Sequence, residues 1–288
     1  MQRISLMIVV IVAGLSAPIG ATAETTIVSD VVYGHKDGMA LVYDVFVPEV
    51  ANGAGIVYMV SGGWFSVWQA PDRRATHFER LLAEGFTVFA VHHGSAPRFK
   101  VPEAVSDVRA AVRHIKKSAP DYGVDRDRLG VWGGSAGGHL SLMLGLNPEG
   151  KPAEPVGQGF RQSGPHYAVD GNDDATVAAV VAFYPPVDIR HRVGPSERFP
   201  ALDFPKDQAD AISPILFVTK DDPPVRLIHG DADELVPLED SEILQAELER
   251  VGVAHDLVVI KGGDHGFRDT GHRGRAMTAM VDWFKQNL

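Results

Sequence analysis

A hydroxyl, a carboxylate and an imidazole stand on short glycine-rich segments of this 288-residue sequence, in the order Ser135, Asp233, His265. Ser135 lies in Gly133-Gly134-Ser135-Ala136-Gly137, a G-x-S-x-G pattern. Glycines on both sides of a serine permit a turn too crowded for side chains, and that turn lifts the hydroxyl clear of its surroundings. The Ala136 amide, at a helix start, then faces the place where charge develops on an attacked carbonyl oxygen. The same residues also suit a plain strand-to-helix turn. The segment from His229 to Pro237 carries two carboxylates, and either can accept from an imidazole N–H and fix its tautomer. Gly-x-x-Asp spacing favours Asp233; Asp231 reads as a turn residue bonding its own backbone. His265 sits in Gly262-Gly263-Asp264-His265-Gly266-Phe267, a loop from which an imidazole can reach a neighbouring strand end. Its alternative is an ordinary surface histidine. In Val60-Ser61-Gly62-Gly63-Trp64 the adjacent glycines let backbone N–H groups come close to a substrate oxygen. Gly62, Gly63 and Ala136 are the expected oxyanion donors, and the chemistry of the whole set is nucleophilic attack on an acyl carbon.

Each of these segments follows an expected strand. Residues 27–33 and 41–47 alternate apolar and polar side chains about Asp37-Gly38, which predicts an antiparallel hairpin. Short apolar runs at 55–60, 86–91, 129–132, 177–183, 226–229 and 256–260 predict buried strands. Helical periodicity predicts helices at 72–84, 102–118, 136–146, 238–251 and 274–287. Residues 147–175 and 190–210 are irregular excursions rich in Pro, Gly and charge. Alternating strands and helices require a mostly parallel twisted sheet, of about eight strands here, with helices on both faces. Reactive groups in such sheets gather beyond the carboxyl ends of the strands.

Composition narrows the setting. The formal net charge of −10 argues against a nucleic-acid partner, which would meet a basic face. With no cysteine, thiol nucleophiles, thiolate metal sites and disulfides are excluded. Arg3, the apolar run 4–15 and Ala21-Thr22-Ala23 read as a signal peptide over 1–23, with residues 24–288 forming one domain that is secreted or periplasmic. The apolar run is too short for a membrane span. Trp64, Phe65 and Trp68 crowd the end of the glycine loop and, with His92, are candidates to wall a substrate pocket, or else are core. His139 is expected to pack or bond locally. Asp170, Asn172, Asp173 and Asp174 offer oxygen ligands without EF-hand spacing and read as a solvated loop.

From Val57 onward the chain resembles the α/β-hydrolase esterases and lipases, in the group that is hormone-sensitive-lipase-like and feruloyl- and acetyl-xylan-esterase-like (BD-FAE-like). The resemblance rests on Ser61-Gly62-Gly63-Trp64, the segment Gly133-Gly134-Ser135-Ala136-Gly137-Gly138-His139, the His229–Pro237 stretch and Gly263-Asp264-His265-Gly266-Phe267. Val60 and Ser61 stand where that group usually has His-Gly in His-Gly-Gly-Gly-Trp. The resemblance implies an α/β-hydrolase fold and a Ser135-His265-Asp233 triad. It further implies a carboxylic ester substrate and neither cofactor nor metal. Export suits a small or polysaccharide-linked ester, and the scarcity of large apolar residues in 147–175 and 190–210, with Trp64, Phe65 and Trp68 beside the glycine loop, favours a short acyl group. Two other readings remain: a prolyl-oligopeptidase-like peptidase, and an inactive binding protein on the same fold.

Overall fold

A computed structural model describes residues 25–150 and 174–288. The signal-peptide reading, most of the 147–175 excursion, and Asp170, Asn172 and Asp173 lie outside the described residues. Asp174, at the boundary, is held by the Lys116 ammonium.

Eight strands form one sheet: β1 (Thr26–Lys36), β2 (Met39–Val47), β3 (Gly55–Met59), β4 (Thr87–Val91), β5 (Leu129–Gly134), β6 (Ala179–Phe183), β7 (Val225–Gly230) and β8 (His255–Ile260). Their order is β1-β2-β4-β3-β5-β6-β7-β8. β1 pairs antiparallel with β2 and β2 antiparallel with β4, while the pairs from β4 through β8 are parallel. The helices are α1 (Pro71–Ala75), α2 (Glu79–Ala83), α3 (Val101–Ser118), α4 (Ala136–Leu146), α5 (Leu238–Val251) and α6 (Thr270–Asn287).

Strand side chains alternate between two cores, as a pleated sheet covered on both faces requires. Val57, Phe89, Val131, Val180 and Leu227 point to the core shared with α3, α4 and α5. Ile56, Val88, Trp132, Val181 and Ile228 point to the opposite core, shared with Phe78, Leu81 and α6. α4 is buried along its whole length, because it is apolar on every side and lies against β5 and β6.

The expected helix over 72–84 is in fact two short helices separated by a 3-10 turn at Thr76–Phe78. Phe78 is thereby turned wholly inward, edge-on to Phe46 at 5.0 Å and to Tyr58 at 5.2 Å. The excursion at 190–210 carries 3-10 turns at Pro200–Leu202 and Lys206–Gln208. The remaining expected elements occur within a few residues of their expected ends.

Candidate active site

β5 ends in the turn that carries Ser135. This residue has φ 54° and ψ −119°, a strained backbone for a side chain with a Cβ. Its N–H donates to the Phe183 carbonyl at the end of β6 (2.9 Å). A Cβ on Gly133 would overlap the Gly137 carbonyl, and one on Gly134 would lie 2.8 Å from the Tyr184 hydroxyl. Glycine is therefore required at both positions by contact, while the strained torsion falls on Ser135 itself. Ala136 opens α4, where a helix leaves its first N–H groups without internal acceptors.

The acid and the imidazole come from the loops after β7 and β8. Asp233 Oδ2 accepts from His265 Nδ1–H at 2.7 Å. Its Oδ1 accepts from the Leu235 and Val236 amides at 2.8 and 3.0 Å. The Asp233 side chain is fully buried and that of His265 partly exposed. With Nδ1 donating to the carboxylate, Nε2 is left with its lone pair. His229 lies beneath. Its Nε2–H donates to the Val236 carbonyl at 2.9 Å and sits 3.4 Å from Asp233 Oδ2, while the Ser241 hydroxyl donates to its Nδ1 at 2.8 Å. Burial holds the His229 imidazole below its ordinary pKa, in keeping with this neutral bonding pattern. Asp231 does not bond its own turn: its Oδ1 accepts from the Gly262 amide at 2.6 Å, tying the acid loop to the histidine loop.

The glycine loop after β3 departs from expectation. Gly62 N–H donates to the Phe65 carbonyl and Phe65 N–H returns to Gly62, each at 3.0 Å. Gly63 and Trp64 between them are both left-handed (φ 57° and 60°), the pattern of a type I′ turn. The Gly62 amide is thus spent on closing the turn. Gly63, at its tip, is the loop's available donor beside Ala136. Ser61 is anchored from β4. The His93 imidazole, pushed down to about 4 by burial, is neutral at physiological pH. Its Nδ1–H donates to the Gly94 carbonyl (2.8 Å), so its Nε2 accepts the Ser61 hydroxyl proton (2.9 Å). A histidine from another strand end thus supports the loop whose own histidine position holds Val60.

Ser135 and His265 line one cavity of about 510 Å³, together with Gly63, Phe65 and the aromatic groups of Tyr58, Trp132, Tyr184 and Phe267. Of the four expected pocket residues only Phe65 is on its wall. Trp64 is buried behind the loop, its Nε1–H donating to His139 Nδ1 at 3.4 Å. His139 is locked in place by its Nε2–H, which donates to the Ile212 carbonyl (2.7 Å). His92 is buried and bonded to the Ser66 hydroxyl (3.2 Å), and Trp68 is 63% exposed outside the cavity. Tyr184, which sequence reasoning missed, packs 4.6 Å from the His265 ring. Its position one residue past β6 was the available signal, since that is where a parallel sheet presents side chains to a site. Arg198, Phe199 and Arg273 were also missed; the first two come from the irregular stretch, which has no periodicity to read.

Comparison with known proteins bears on this geometry. The BD-FAE family model matches residues 43–248. The chain belongs to the BD-FAE family. This BD-FAE chain is 29% identical over 229 residues to esterase LipC of Mycobacterium tuberculosis, covering 74% of this chain and 52% of that one. It is 27% identical over 299 residues to an ethyl acetate hydrolase of Pseudomonas putida, covering 93% and 86%. It spans about half the length of the mycobacterial relatives LipC, LipQ and LipM. Among solved structures, a truncated carbohydrate esterase from gut microbiota superposes with a TM-score of 0.72 at 28% identity, covering 94% of this chain and 99% of that one. Thermogutta terrifontis esterase 2 superposes equally well (0.72) at 22% identity, covering 93% and 96%, a likeness of fold. The fold is the α/β-hydrolase fold.

Proposed function

We propose that this chain is a serine carboxylesterase working through an acyl-enzyme. The observation that carries the reading is the 2.7 Å bond to buried Asp233 from His265, which lines the same cavity as Ser135. The Ser135 hydroxyl attacks the ester carbonyl while His265 Nε2 takes its proton. Asp233 stays ionised and stabilises the imidazolium. The Gly63 and Ala136 amides hold the oxyanion; such a donor contributes about 2.7–4 kcal/mol to transition-state stabilisation. Collapse of the tetrahedral adduct expels the alcohol, protonated by His265, and leaves the acyl group on Ser135. Water, deprotonated by His265, then releases the acid by the same steps.

The substrate is a short-chain ester or an acyl group on a polysaccharide, and the enzyme acts after export. The cavity of about 510 Å³ and its ring of aromatic walls favour a short acyl group. The similarity to an ethyl acetate hydrolase and to a carbohydrate esterase points the same way. Among the described residues no helix is long and apolar enough to cross a membrane. A panel of nitrophenyl acetate, acetylated xylan, feruloyl esters and peptide anilides tests the reading. Ester cleavage with peptide rates at background is the expected result. Peptide cleavage exceeding ester cleavage would replace it with a peptidase.

A further inference from the structure

Two arginines, Arg198 and Arg273, line the active-site cavity, and no Asp or Glu is among the described residues that line it. Arg198 comes from the irregular stretch; its guanidinium lies 5.2 Å from the Phe199 ring centre. Phe199 in turn packs over the glycine loop, where a Cβ on Gly63 would stand 3.1 Å from its Cδ1. Arg198 is thus placed beside the oxyanion turn. Arg273 projects from the first turn of α6 on the wall that also carries His77, Tyr184 and Met277. Neither arginine has an ion-pair partner among the described residues. Asp264 on the histidine loop is taken by Arg268 (2.8 Å), and the Asp269 carboxylate, four residues before Arg273, caps α6 by accepting from the His272 amide (2.9 Å).

The other titratable groups on the wall leave these two charges uncompensated. Burial pushes the His77 imidazole down to about 4, helped by Arg74 and Arg273, so it is neutral. Burial also raises the phenols of Tyr58 and Tyr184 above their ordinary values, so neither supplies a negative charge. Asp233, its side chain fully buried, is bonded to His265 and does not itself line the cavity. A protein with a net charge of −10 therefore presents a cationic mouth at its reactive serine. Such a reversal of sign concentrates anionic ligands at a cleft, and a planar guanidinium pairs with a carboxylate in a bidentate fork.

We propose that Arg198 and Arg273 select esters bearing a second, free carboxylate, as in a dicarboxylic acid monoester or an ester on an acidic sugar. This rests on the esterase reading and names its substrate class. The carboxylate reaches the site on the acyl side in the first case and on the alcohol side in the second.

Both sources are tested with matched pairs at low ionic strength: mononitrophenyl adipate against nitrophenyl hexanoate, and acetylated glucuronic acid against acetylated glucose. The readout is the acidic-to-neutral ratio of kcat/KM within one protein preparation, which is independent of the active fraction. In at least one pair the ratio is expected to exceed about tenfold, carried by KM, because a remote charge pair binds ground and transition states alike. It should shrink with added salt and approach one in the double variant Arg198→Gln/Arg273→Gln, with each single variant in between. A ratio of one or less in both pairs, or a preference that survives the double variant, would overturn the proposal while leaving the esterase intact. Failure to cleave any of the four esters would instead remove the esterase reading and this inference with it.

Discussion

Asp233 and Asp231 are two residues apart and chemically alike, yet they bond to different loops. Asp233 meets the His265 ring, and Asp231 meets the Gly262 backbone amide. Asp233→Asn keeps the shape but removes the charge that fixes the imidazole tautomer, and kcat is expected to fall about 10⁴-fold. Asp231→Asn keeps an acceptor oxygen for Gly262 and should stay within about tenfold of wild type. Steady-state rates of the two variants check this, and a larger loss for Asp231 would reverse the assignment. Both carboxylates were legible in the sequence as candidates, and spacing alone favoured Asp233. Their separate partners were not, because each depends on how two loops meet. The fate of the Gly62 amide was hidden for a similar reason: two glycines announce a close approach, but only the closed turn shows which N–H it consumes.

At the scale of elements, the loops are held by contacts behind the site. Gly94, next to the His93 that anchors Ser61, donates its N–H to Asp107 Oδ2 on α3 (2.8 Å). Lys36 at the end of β1 pairs with the same carboxylate at 2.8 Å, and both side chains are almost wholly buried. Asp107→Ala leaves the buried Lys36 charge only the longer contact to Glu103 (4.0 Å) and is expected to cost about 3 kcal/mol of folding stability in denaturant titration. A loss under 1 kcal/mol would mean that the pair is solvated and does not brace the loop. The elbow is less forgiving. Gly133→Ala drives a methyl group into the Gly137 carbonyl, so the variant should fold poorly or lose its activity. Strand and helix positions were readable because period-2 and period-3.6 patterns are local. The break at Thr76–Phe78 was not, because it is set by where Phe78 packs across the sheet.

Across the whole molecule, β5, β7 and β8 run parallel, so the loops carrying Ser135, Asp233 and His265 leave the sheet at the same edge although the residues are distant in sequence. The strand–helix alternation made that convergence legible. The cavity was not, because Arg198 and Phe199 reach it from a segment without a pattern, and Trp68 turns to solvent. A cavity of this size should favour acetyl and butyryl nitrophenyl esters over long-chain ones; rates that climb steadily with chain length would contradict it. The central claim is that one serine of this chain is an activated nucleophile. Treatment with a fluorophosphonate tests it directly, since attack by the activated hydroxyl expels fluoride and leaves the phosphonyl group on the serine oxygen. Peptide mass spectrometry should place a single adduct on Ser135, absent from a folded Ser135→Ala variant. Unmodified Ser135 in folded wild-type protein, or equal labelling of the variant, would contradict the account.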